Sequence, residues 1–179
     1  MFKHFLSLDT LSPREFAELL AVALYLKRRR SQGITEHALA GKTLAMVFEK
    51  PSLRTRLSFE QAMNELGGKS IYIRGEEIGL GKREPIQDVA RVLSRYVQGI
   101  MARVYKHESV AGLAQFGSVP VVNGLCDRYH PCQALGDFLT IREHLGTTSG
   151  LKIVYGLLPV FTPRSSTYFV VTASAGMMP

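Results

Sequence analysis

Residues 42–68 read KTLAMVFEKPSLRTRLSFEQAMNELGG, and the fold turns on how this stretch divides. Lys42 to Glu49 is a short apolar run of strand length. From Arg54 to Gly68 the pattern is helical, with Leu57, Ala62, Met63 and Leu66 available for packing and Gly67 as a stop. The junction, EKPSLRTRLSFE (49–60), brings Arg54 and Arg56 together just after a proline. Neighbouring cations repel, so the arrangement needs either open water or an anion to neutralise it.

Outward from this junction the strand-to-helix pattern repeats. Ser12-Pro13-Arg14-Glu15 is a capping box with proline at the first helical position, and Phe16, Leu19, Leu20 and Ala23 continue a helix to about Gly33. SIYIRG (70–75) reads as a strand, followed by a glycine-bearing loop and a helix over residues 85–97 in which Val89, Val92 and Leu93 share a face. GIMARVY (99–105), VPVVNGL (119–125) and LKIVYGLL (151–158) read as strands; HESVAGLAQFG (107–117) and HPCQALGDFLTIREHLG (130–146) read as helices. Strands alternating with helices of this length predict an α/β fold, a parallel sheet of about four strands with helices on both faces. Ligands of such sheets sit beyond the carboxyl ends of the strands. The polar TTSG (147–150) is the boundary candidate, and after it the segment LLPVFTPRSSTYFVVTASAGMMP (157–179) breaks the alternation with two internal prolines.

The chain has 179 residues, 46% hydrophobic and 21% charged, enough for one domain and a fraction of a second. Its 22 Lys and Arg against 15 Asp and Glu, a net charge of +7, favour an anionic partner of unspecified kind. The densest basic run, Lys27 to Arg30, ends a helix where cations complement the dipole, and reads as a solvated terminus. No interleaving of basic and aromatic residues and no nucleic-acid-binding module occurs, so nucleic acid is not the expected partner. No apolar run reaches the roughly 18 residues of a membrane span, and MFKHFLSLDT lacks the apolar core of a signal peptide, so the expected location is the cytoplasm. Cys126 and Cys132 form neither a CxxC pair nor part of a ligand cluster and are read as ordinary reduced thiols, with no metal site.

A helix beginning just after Ser52 leaves the amides of Leu53, Arg54 and Thr55 without intrahelical acceptors, which makes an anion hole. Ser52 and Thr55 add hydroxyls and Arg54 a planar fork suited to phosphate oxygens. The pentapeptide alone also fits an N-capped helix with exposed arginines. Arg103, near the carboxyl end of an apolar strand, needs a partner, and an ion pair or a ligand would serve equally. His130 and Gln133 lie at another strand-to-helix junction on the same edge of the sheet. The loop EEIGLGKREP (76–85), carrying Lys82 and Arg83, is flexible enough to fold over a ligand or reach a neighbouring subunit, and also fits an ordinary surface loop. Together these residues describe a site for a small molecule with a phosphate and a carbonyl. Carbamoyl phosphate is such a ligand.

The segments FEKPSLRTRLSFE, ARVLSRYVQGIMAR, SVPVVNGL and HPCQALGDFLTIREH resemble the carbamoyl-phosphate half of the aspartate and ornithine carbamoyltransferase family, its ornithine branch above all. The resemblance runs from Lys3 to about Tyr155. It implies a transferase without metal or organic cofactor, in which the unprotonated amine of ornithine attacks the carbamoyl carbon to give citrulline and phosphate in arginine metabolism. Carried over, Ser52, Leu53, Arg54 and Thr55 bind phosphate, Arg103, His130 and Gln133 bind and polarise the carbamoyl group, and Arg54, Arg103 and His130 are the catalytic candidates. His130 is cast as a hydrogen-bond donor rather than a general base. The family implies a homotrimer with the site at the subunit boundary, and residues 76–85 are where a neighbour's contribution would be sought.

Departures from the family pattern set further expectations. Leu53 replaces a threonine and keeps only its amide for the phosphate; Gly79 stands where the family has a glutamine, with Lys82 as the substitute donor. Residues 1–146 are expected to be the carbamoyl-phosphate-binding domain and 147–179 a linker and remnant of the ornithine-binding domain, the start of a second α/β domain, with a disordered tail as one expectation. VVTASAGM resembles the first helix of that domain, and the family's amino-acid-binding motifs are missing, so a truncated chain with impaired transfer is expected. The alternatives are a sister enzyme acting on aspartate, putrescine or an acylated ornithine, and a non-catalytic anion-binding or assembly module.

Overall fold

The Ser12 side chain accepts from the Glu15 amide at 3.3 Å while the Glu15 carboxylate accepts from the Ser12 amide at 3.0 Å, and this reciprocal cap starts helix α1, Pro13–Ser31. The computed structural model describes residues 3–81, 83–157 and 167–172, with 152–157 and 167–172 described as backbone. After α1 come β1 (Thr43–Phe48), α2 (Leu53–Glu65), β2 (Lys69–Arg74), α3 (Gly75–Ile78), α4 (Ile86–Tyr96) and β3 (Gly99–Arg103). Then follow α5 (His107–Phe116), β4 (Val121–Leu125), α6 (Pro131–Leu145), β5 (Lys152–Leu157) and β6 (Thr167–Thr172). Two compact units are distinguished, Met1–Gly136 and Asp137–Pro179.

In the first unit β1 to β4 form one parallel sheet in the order β2-β1-β3-β4. The period of two along β1 divides its side chains between the two faces. Ala45 and Val47 join Ile100, Ala102 and Val121 under Val89 and Ala90 of α4 and Val110 and Leu113 of α5. Met46 and Phe48 join Met101 on the other face, against Phe59 of α2. Both faces are covered, so the strands are apolar runs rather than alternating ones. With right-handed crossovers, the step from β1 out to β2 and the return past β1 to β3 place their helices on opposite faces. The chain therefore changes direction between β1 and β3, which opens a crevice at their carboxyl ends.

Several local expectations are corrected. In α2 only Met63 is buried; Leu57 is 54% exposed and Ala62 is also on the solvent side, because the helix presents Phe59 to the sheet. Val92 of α4 is likewise exposed beside buried Val89. The loop after β2 is not uniformly loose: Gly75–Ile78 forms a helical turn, Gly79 closes it in the left-handed region at φ 61°, and Leu80 is buried in the core. A bridge between Leu80 and Glu84 ties its tip, and Lys82 lies outside the described residues. Near the amino terminus, which the periodicities leave unread, Phe5 bridges Val122 in parallel beside β4.

In the second unit β5 pairs antiparallel with β6. Val170 to Thr172 are thus strand, which overturns the helical expectation for the start of VVTASAGM; its remainder lies outside the described residues. Among the described residues no helix is long and apolar enough to cross a membrane.

Candidate functional site

β1, β3 and β4 all end at the same edge of the sheet, and each delivers polar residues there. Beyond β1, Ser52 is the extended N-cap of α2, at φ −160° and ψ 113°. Its Oγ accepts from the Thr55 amide at 3.4 Å and donates to Thr55 Oγ1 at 3.0 Å. The expected trio of open amides therefore narrows to Leu53 and Arg54. Thr55 Oγ1 also accepts from Arg103 Nη1 at 3.2 Å. With both lone pairs of that oxygen engaged, its own proton is the donor left for a ligand.

Arg103 ends β3, half-buried, and its hydrogen-bond partner is the Thr55 hydroxyl rather than a carboxylate. Nε is buried and has no hydrogen-bond partner among the described residues. Burial first, and the positive charge of Arg54 second, push its guanidinium below the usual range. No carboxylate lies within ion-pair distance of Arg54 or Arg103 among the described residues, whereas Arg56 is paired with Glu60 at 2.8 Å and stacked 4.2 Å over the Tyr72 ring. The two neighbouring arginines of the sequence thus part company: Arg56 is neutralised on the helix, and Arg54 is turned to the crevice.

Beyond β4, His130 precedes the first residue of α6, and its Nδ1 accepts from the Gln133 amide at 3.4 Å. That bond places the neutral ring's proton on Nε2. Ser52, Arg54, Thr55, Arg103, His130 and Gln133 line one cleft of about 420 Å³. Leu53 does not: its side chain is 72% exposed and only its amide can serve the site. Lys82 has no described position.

Sequence reasoning missed Ser58, Phe59, Gly124, Leu125, Cys132 and Gly136, which complete the lining. Of these Cys132 carried a signal, standing between His130 and Gln133. Burial pushes its thiol up to about 11, so it is neutral, and Sγ lies 3.6 Å from the Asn123 carbonyl. A second cavity of about 430 Å³ lies between the carboxyl-terminal ends of α1 and α2. Its Arg29 and Arg30 are already paired with Glu36 at 2.6 Å and Glu65 at 3.0 Å, so it offers an anion much less. No group of three His, Cys, Asp or Glu among the described residues could hold a metal ion.

Chemically, the first cleft offers two helix amides, hydroxyl donors, two guanidiniums with no counter-ion among the described residues and an imidazole N–H. Such a set suits a small dianion carrying a polarisable carbonyl.

Residues 3–143 match the family model "Aspartate/ornithine carbamoyltransferase, carbamoyl-P binding domain". Among curated proteins, ornithine carbamoyltransferase of Methanocorpusculum labreanum is 48% identical over 155 residues, 87% of this chain and 51% of that protein. Its counterpart from Pyrococcus abyssi is 52% identical over 150 residues, 84% and 47%. The solved ornithine carbamoyltransferase from Pyrococcus furiosus superposes with a TM-score of 0.81 at 49% identity, covering 83% of this chain and 47% of that one. The catalytic subunit of M. jannaschii aspartate transcarbamoylase superposes with a TM-score of 0.77 at 33% identity, covering 83% and 49%. The chain spans about half the length of the curated relatives it matches. The match takes in β1 to β4 with every residue described in the cleft, and on it the chain belongs to the aspartate/ornithine carbamoyltransferase family.

Proposed function

We propose that the cleft binds carbamoyl phosphate and serves transfer of its carbamoyl group to the side-chain amine of ornithine, giving citrulline and phosphate. Ser52, Arg54 and Thr55, with the Leu53 amide, hold the phosphate. Arg103, His130 and Gln133 hold the carbamoyl group, where Arg103 and the His130 Nε2 proton stabilise the oxyanion of the tetrahedral state. The leaving phosphate departs into charge already matched to it. The observation that carries this reading is Arg103, tied to Thr55, beside Arg54, with a buried donor that nothing among the described residues satisfies. Residues 1–146 are read as the binding domain, in a cytoplasmic homotrimer whose 76–85 loop, with Lys82, reaches the site of a neighbour.

Calorimetry with phosphonoacetamide, a stable carbamoyl phosphate mimic, tests the reading. The unsubstituted chain takes up one equivalent, and Arg103→Ala weakens uptake about 10- to 100-fold, the range for losing a charged hydrogen bond. No uptake by folded chain, or an unchanged affinity in Arg103→Ala, would refute it. The coverage of about half the relatives' length favours a second reading, an anion-binding module that does not turn over by itself. Uptake of the mimic without citrulline formation is its signature.

A further inference from the structure

Asn123 is a fully buried carboxamide in the middle of β4, 0% exposed, and both ends of the carboxamide are engaged. Nδ2 donates to the Leu6 carbonyl at 2.9 Å and to Cys126 Sγ at 3.3 Å, and Oδ1 accepts from the Leu125 amide at 3.0 Å. Its backbone amide donates to Phe5 at 2.8 Å. The bond to Leu125, two residues on, is a side-chain turn that competes with the ladder. It falls where the pairing of β3 and β4 slips, from Ala102 opposite Asn123 to Arg103 opposite Leu125, with Gly124 as the extra residue. A Cβ on Gly124 would lie 2.6 Å from Met101 Sδ, so the bulge is packed to contact.

Cys126 continues the same knot. It is 5% exposed, and its sulfur accepts from the Tyr129 amide at 3.3 Å as well as from Asn123, while the Cys126 amide donates to the Tyr129 carbonyl at 3.0 Å. Residues 126–129 are therefore wound around one sulfur atom, and the next residue is His130. Neither Asn123 nor Cys126 lines the cleft.

We infer that Asn123 and Cys126 are positioning residues: their buried side chains fix the turn that presents His130 to the carbamoyl end of the ligand. The inference rests on the reading of the cleft given above. The phosphate end is assigned to Ser52, Arg54, Thr55 and the Leu53 amide at the start of α2, to which neither side chain of the knot is hydrogen-bonded among the described residues, so the two ends of the ligand separate the effects.

Inorganic phosphate probes one end and phosphonoacetamide both. Cys126→Ala, which removes the acceptor for two donors, lowers phosphonoacetamide affinity about tenfold and leaves phosphate affinity within twofold. Cys126→Ser, whose hydroxyl can accept the same two donors, restores it. In a His130→Ala background Cys126→Ala has no further effect on phosphonoacetamide. Nitrogen NMR of the His130 ring, with Nδ1 unprotonated in the unsubstituted chain, becomes averaged over both tautomers in Cys126→Ala. Asn123→Asp, which sets a second acceptor against Leu6, gives the same selective loss where it folds, and the cysteine pair decides the matter where it does not. Equal weakening of both probes, or no change in Cys126→Ala, overturns the inference. If the unsubstituted chain does not prefer phosphonoacetamide to phosphate, the reading of the cleft itself fails and the inference falls with it.

Discussion

Thr55 and Arg103 are 48 residues apart in sequence, yet one hydrogen bond joins them and orients both toward the same point. A guanidinium that donates Nη1 to a hydroxyl and keeps Nε dry is aimed, not merely charged, because its planar fork can turn only as a unit. Cys132 contributes differently. Its neutral thiol keeps negative charge out of the cleft, and its ionisation is linked to stability. The folded protein holds the thiol near 11 against an ordinary 9.0, so the unfolded chain loses this proton first as pH rises. The thiol's contribution is fully present below pH 9 and is lost between about 9 and 11. Denaturant titrations across this window should show the chain losing about 3 kcal/mol more than Cys132→Ala does, since a shift of one unit corresponds to 1.36 kcal/mol. Parallel pH profiles for the two proteins would contradict the burial argument.

Helix α2 shows how one cap serves two purposes. Ser52 satisfies the Thr55 amide, which starts the helix, and its hydroxyl orders Thr55 Oγ1, which lines the cleft. Ser52→Ala should cost about 1 kcal/mol of stability, read as a fall in Tm of about 2–4 °C, together with weaker phosphate binding. Leu53→Thr, at an exposed side chain outside the cleft, should leave Tm and phosphate affinity unchanged. A marked gain in affinity from Leu53→Thr would mean that the side chain at this position reaches the ligand after all. The loop after β2 makes a related point: its helical turn, the left-handed Gly79 and buried Leu80 anchor its first half against the core.

For the whole chain, the order β2-β1-β3-β4 gathers the ends of β1, β3 and β4 around one crevice, and every residue lining the cleft lies in the first unit. Rapid transfer needs more. The amine must be held in line with the carbamoyl carbon and water excluded, and the matched region is the carbamoyl-phosphate-binding part of relatives about twice as long. With carbamoyl phosphate and ornithine in excess, the purified 179-residue chain should form citrulline far below about 1 per second, the lower end of ordinary enzyme turnover. Steady production at that rate or above would show that these residues orient the amine unaided.

Local pattern carried the alternation of strands and helices, since apolar strand runs, the Ser12 cap and the glycine stops act over a few residues. It also carried Ser52, Arg54, Thr55, Arg103, His130 and Gln133 as one group, because residues just past the ends of parallel strands must share an edge. Periodicity misjudged Leu57 and Val92, because contact with the sheet turned α2 to bury its Phe59 side and contact with the core turned α4 to bury Val89. Asn123 stood in plain view as a polar residue in VPVVNGL, but its meaning required Leu6, more than a hundred residues away, and a register slip against β3. Short-range propensity is written residue by residue along the chain; hydrogen bonds between distant segments exist only once the sheet has brought those segments together.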